Sequence, residues 1–144
     1  MTGHRAGIVG SALIALVLMT SGCGSEGSPP TSTSSPTSSR PSSAAKLSIL
    51  SPKNGSVVRG PTVRLELSLE GAHIVKQTST DLSPDEGHVH VLLDGSLIAM
   101  NYRLGDDIPD VAAGPHRIDV EFVATDHAPF DPRVTAATSF QVKA

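Results

Sequence analysis

The sequence predicts an all-β chain. It reads as one antiparallel β-sandwich of about seven strands over residues 46–144, preceded by a signal peptide and a disordered Ser/Thr/Pro tether. Three observations predict it. Apolar residues of the C-terminal part recur with a period of two, which puts one strand face in a core and the other in water. Gly, Pro, Asn and Asp turn signals punctuate these runs about every 8 to 12 residues. No segment carries apolar residues at the 3.6-residue period of an amphipathic helix.

The N-terminus reads as an address. His4 and Arg5 precede an uncharged apolar run over residues 8–19. Spanning a bilayer takes about 20 apolar residues, so this shorter run is a secretory h-region. Thr20-Ser21-Gly22-Cys23 follows directly and holds the chain's one cysteine. This segment resembles the lipobox of bacterial lipoproteins, with Thr20 where the usual pattern has Leu. The resemblance implies cleavage before Cys23 and diacylation of its thiol. It also implies a protein held on the extracytoplasmic face of the cell membrane. Two acyl chains make such an anchor stable, because each buried CH2 contributes about 0.8 kcal/mol.

Residues 24–45 contain one acid, one base and no large apolar side chain. Such a stretch buries too little surface to offset the entropy of ordering it, so a disordered tether is expected. Pro29, Pro30, Pro36 and Pro41 bias it toward extended conformations. The chain thus divides into a signal peptide (1–22), a lipidated Cys23 with its linker (23–45) and a folded domain (46–144).

Within the domain, Leu47 and Ile49 mark a short first strand, ended by the turn signal Ser51-Pro52-Lys53-Asn54-Gly55. Residues 62–69 alternate without a fault, with Val63, Leu65, Leu67 and Leu69 on the core face. His73 to Gln77 marks one more short strand. Residues 88–93 and 96–102 flank Asp94-Gly95, a two-residue hairpin signal of type I′. Ile118, Val120, Phe122 and Ala124 alternate with Arg117, Asp119, Glu121 and Val123. Val134, Ala136, Thr138, Phe140 and Val142 close the chain. Strand count and turn spacing fit an immunoglobulin-type (Ig-like) sandwich without the Cys and Trp hallmarks of antibody domains. Ser51-Pro52-Lys53-Asn54-Gly55-Ser56-Val57, then Gly60-Pro61-Thr62-Val63, resembles the start of many bacterial Ig-like domains.

Histidine is the chemical oddity of the domain. Gly87-His88-Val89-His90 places two imidazoles on one strand face, about 7 Å apart along it. Val89, Val91 and Leu93 claim the core side, so His88 and His90 are expected to point outward. In an Ig-like topology their strand runs antiparallel to the strand that begins at His116. Asp126 and His127, just past the end of that strand, then approach His88, and Glu121 approaches His90. The expected metal-ligating set is His88, His90 and His127 with Asp126 or Glu121, a donor set suited to Cu(II) or Zn(II). The bland reading is solvent-facing histidines on a sheet and in a loop. His116 falls about 27 Å from that pole and reads as a structural residue at a strand start. His73 reads as an unrelated surface residue.

Gly87-His88-Val89-His90 through Asp94-Gly95, then Gly114-Pro115-His116 and Asp126-His127, resembles a pattern shared by exported bacterial domains of unknown function on a sandwich fold. The resemblance implies a compact exported domain with the histidines as a family feature. The domain is also similar to copper-carrying periplasmic sandwiches. It departs from their pattern, since its mature N-terminus is Cys23 and its one Met is Met100.

Other classes are excluded by composition and motif. A net charge of −3 and 3% aromatic residues leave no basic or stacking surface for nucleic acid. There is no Gly-x-Ser-x-Gly, no HExxH and no P-loop, and the lone cysteine belongs to the lipobox. Ser83-Pro84-Asp85-Glu86 and Asp106-Asp107 read as solvated turns. The expected function is a lipid-anchored, extracytoplasmic, non-enzymatic Ig-like binding or structural accessory module, without cofactor, facing an envelope protein or ligand. The alternative is an envelope lipoprotein that binds Cu or Zn through its histidines. A third reading is a subunit that docks on a membrane complex by its sandwich edge.

Overall fold

The computed structural model describes residues 39–144. The expected signal peptide, Cys23 and the linker up to residue 38 lie outside the described residues. Nine strands form: β1 (Lys46–Ser51), β2 (Val57–Arg59), β3 (Val63–Glu70), β4 (His73–Ile74) and β5 (Glu86–Leu93), then β6 (Ser96–Asn101), β7 (Gly105–Ile108), β8 (Gly114–Ala124) and β9 (Pro129–Lys143). Among the described residues there is no helix.

The strands make two sheets, ordered β1-β3-β7 and β2-β9-β8-β5-β4, with β6 also paired to β5. This is the Ig-like sandwich that the period-two alternation predicts. Leu47 of β1 and Val63, Leu65 and Leu67 of β3 face Val89 and Val91 of β5, Ile118, Val120 and Phe122 of β8, and Phe140 and Val142 of β9. The rings of Phe122 and Phe130 stack at 5.3 Å between centroids. Two short edge pairings, β2 with β9 and β4 with β5, are parallel.

β2 and β7 are the two strands the alternation does not announce. β2 has three residues and β7 has Gly105-Asp106-Asp107-Ile108, which reads as a polar turn. The backbone of β7 pairs with β3, and its two acids meet Arg103 and Arg64. The hairpin at Asp94-Gly95 has φ of 50° and 83°, the left-handed pair that a type I′ turn requires.

Residues 39–45, read from the sequence as the end of the tether, lie against the domain. The Asp131 N–H donates to the Pro41 carbonyl at 3.0 Å, and the Arg40 side chain makes four hydrogen bonds to residues 126–129. Composition could not show this, because the contact joins residues 86 or more positions apart.

Candidate metal centre

β5 sets the first two imidazoles. It lies between β8 and β6 with its even positions on the outer face of the sheet. The register places His88 beside Val123 and His90 beside Glu121 on β8, and His90 beside Met100 on β6. Tyr102, one residue beyond the last pair of β5 with β6, covers His88 at 5.1 Å between ring centroids. The start of β5 is drawn tightly against β8 at Gly87. A Cβ there would lie 2.0 Å from the Val123 carbonyl oxygen. The glycine of the Gly-His-x-His segment is thus required for strand approach, and this approach fixes where His88 sits.

The third imidazole comes from the β8–β9 turn. The His127 N–H donates to the Ala124 carbonyl at 3.0 Å, and the Ala124 N–H donates to the Ala128 carbonyl at 3.1 Å. Asp126 accepts from the Ala128 N–H through Oδ1 at 3.1 Å, an Asx-type closure of the turn. His127 itself has φ of 65°. A non-glycine residue pays about 1 kcal/mol or more for that conformation, and such strain clusters at functional sites.

The three rings converge. His88 lies 4.4 Å from His127 and 5.0 Å from His90, and His90 lies 6.0 Å from His127, centroid to centroid. One nitrogen from each ring falls within 4.8 Å of the others. The Nε2 atoms of His88 and His90 are 3.2 Å apart, so one donates to the other in their neutral forms. Nitrogens bound to one zinc at about 2.0–2.1 Å in a tetrahedral array are roughly 3.4 Å apart, so side-chain adjustment alone would close the set.

The electrostatics favour the neutral forms of His88 and His90. Burial pulls the His88 pKa down to about 4, reinforced by the neighbouring His127 and His90. Burial and His127 also lower His90, while Glu121 opposes the shift. Neutral imidazole is the form that binds a metal. Nδ1 of His127 is buried and has no hydrogen-bond partner among the described residues. A buried polar atom left unpaired costs about 1–3 kcal/mol, and each such atom in a native fold calls for an explanation.

The sequence expectation is corrected in two respects. His88 is on the outer face, yet only 1% of it is exposed, because Tyr102, Val123 and His127 close over it. The two carboxylates do not join the rings. Asp126 is held by Arg40 at 2.5 and 3.0 Å, and Glu121 by Arg133 at 2.7 and 2.5 Å. Each guanidinium takes both oxygens of its partner, so the set the fold brings together is three imidazoles without a carboxylate.

His116 behaves as a strand-start residue. Its Nδ1 meets Asp94 at 2.7 Å and its Nε2 meets the Ala112 carbonyl at 2.8 Å. His73 is an exposed residue of β4, paired with Glu86. Sequence reasoning missed Tyr102, Arg133 and Arg40. The signals for the first two were present: Tyr102 is the only Tyr, at the end of a strand pairing with β5, and Val123 is an apolar residue in an otherwise wet row.

No protein-family model matches this sequence, and no curated protein matches it. Among solved structures the chain is similar to the fibronectin(III)-like modules of Clostridium thermocellum CbhA. That match has a TM-score of 0.50 and 18% identity, and covers 67% of this chain and 94% of that one. The PKD domain of human KIAA0319 matches at a TM-score of 0.46 and 14% identity, covering 81% of this chain and 92% of that one. The first likeness shows the fold: a fibronectin-III-like, Ig-like sandwich.

Proposed function

We propose that this chain is a non-enzymatic Ig-like module that binds a divalent transition-metal ion, Cu(II) or Zn(II), on the outer face of its larger sheet. His88, His90 and His127 are the ligands. The observation that carries this reading is the convergence of one nitrogen from each ring within 4.8 Å, with the nearby carboxylates of Asp126 and Glu121 held by Arg40 and Arg133. Imidazole donors suit both metals. Three protein ligands leave a further position open to water or to an outside ligand. The lipobox-like segment ending at Cys23 supports a lipid-anchored protein on the extracytoplasmic face of the membrane.

Isothermal titration of the mature chain with each metal tests the site. One equivalent should bind with a dissociation constant below about 10 μM. His88→Ala with His90→Ala should abolish it, and His116→Ala should leave it intact. Affinity weaker than that, or unchanged by the double substitution, refutes the metal reading. The anchor is tested by Cys23→Ala, which should leave an uncleaved or membrane-released protein. Processing and acylation that persist in that variant refute the anchor.

A further inference from the structure

Arg40 and its surroundings are built more tightly than a linker needs. The guanidinium spends its donors on one turn. Nε donates to the Pro129 carbonyl at 2.8 Å, and one terminal nitrogen donates to Asp126 Oδ2 at 2.5 Å. The other donates to Asp126 Oδ1 at 3.0 Å and to the Ala128 carbonyl at 2.8 Å. These acceptors flank His127 on both sides. Arg40 and Asp126 are both substantially covered, at 29% and 24% side-chain exposure, so their pairing is sheltered from water. The Asp131 N–H donates to the carbonyl of Pro41 and fixes the following residue too. Arg40 is the one base of residues 24–45.

We propose that Arg40 is a positioning residue of the metal centre: by clamping the turn at residues 126–129, it holds His127 in its left-handed conformation with the ring turned toward His88 and His90. This rests on the metal reading above. The segment that leads into the domain is then part of the site. Asp126, expected to be a ligand, serves instead as the clamp's counter-charge. Groups that orient metal ligands set affinity, and removing one typically costs ten- to a hundred-fold.

Zinc titration of the mature chain tests this with four variants. Arg40→Ala should weaken binding ten- to a hundred-fold. Arg40→Lys should recover only part of it, because an ammonium cannot take both carboxylate oxygens and two carbonyls from one plane. The decisive arm is a double-mutant cycle. In a His127→Ala background the further change Arg40→Ala should have no effect on the residual affinity of His88 and His90. Wild-type binding that Arg40→Ala leaves unchanged overturns the positioning role alone. So does an equal loss with and without His127, which would mean a general effect on the fold. Failure of the wild-type chain to bind zinc or copper overturns the metal reading and this inference with it.

Discussion

The two ends of β8 hold histidines in opposite circumstances. At its start, His116 has both ring nitrogens committed, one to Asp94 and one to the Ala112 carbonyl, and the Asp94 hydrogen bond raises its pKa. Past its end, His127 meets His88 and His90, the pKa values of those two are lowered, and one His127 nitrogen has no partner among the described residues. Each pole also carries acidic residues. At the first the acid faces the imidazole. At the second each acid is held by an arginine. A histidine that completes a fold has its nitrogens satisfied by the protein. Histidines whose nitrogens face one another, with the nearby charges neutralised elsewhere, are available to an ion.

The largest expected effect sharpens the contrast through two glycines. Gly87→Ala would force a Cβ to 2.0 Å from the Val123 carbonyl, which is backbone and cannot yield cheaply. It should cost at least about 3 kcal/mol in urea unfolding. Gly95→Ala, at the His116 pole, meets open space with φ of 83° and should cost about 1 kcal/mol, from the backbone alone. Equal costs would mean that β5 and β8 are not in close approach at Gly87.

Acid separates the poles next. His88 has a depressed pKa in the folded state, so the metal-free domain keeps the associated stability above about pH 6.5 and loses it as pH falls toward 4. The loss should be on the order of 1–3 kcal/mol and should shrink in His88→Ala, where the lowered His90 keeps part of it. His116 has the opposite sign. Its raised pKa contributes stability that is fully present below about pH 6.5 and fades as pH rises through the folded value. With Asp94 half exposed, that contribution should stay under about 1 kcal/mol. Chemical denaturation across pH 4–8 reads both, and a His88→Ala variant with an unaltered acid limb would break the contrast.

The smallest effect is at the turn. His127→Gly and His127→Ala both remove the proposed ligand, but only the glycine accepts φ of 65° without strain. The glycine variant should be about 1 kcal/mol more stable in thermal unfolding, and both should keep only the weak residual metal affinity of the His88 and His90 pair. Parity between the two would show that the turn relaxes when the imidazole is gone.

Much of the fold and part of the site were legible in the chain. Alternation at 63–69, 118–124 and 134–142 marked β3, β8 and β9, because a half-buried strand writes its two faces directly into residue order. The same alternation placed His88 and His90 on one face, and antiparallel pairing put Glu121 beside His90 and His127 near His88. Period-two patterning says which face a side chain takes but not what covers that face. Tyr102 over His88, Arg133 on Glu121 and Arg40 on Asp126 are contacts made by folding, so the burial of one histidine and the capture of both carboxylates went unread. β2 and β7 were missed for a simpler reason: three or four residues are too few to show a period.

The span of the Arg40 contact sets how much of the chain the site needs. His88 and His90 arrive together on β5, as neighbours two residues apart. His127 lies beside them through the pairing of β5 with β8, and Arg40 meets Asp126 across 86 positions of chain. Closing longer loops costs more entropy. The three rings therefore depend on contacts of increasing span, from a pair two residues apart to a turn held from residue 40. Tight metal capture would report that both ends of the domain have met, and a partly folded chain would offer an ion only the loose pair.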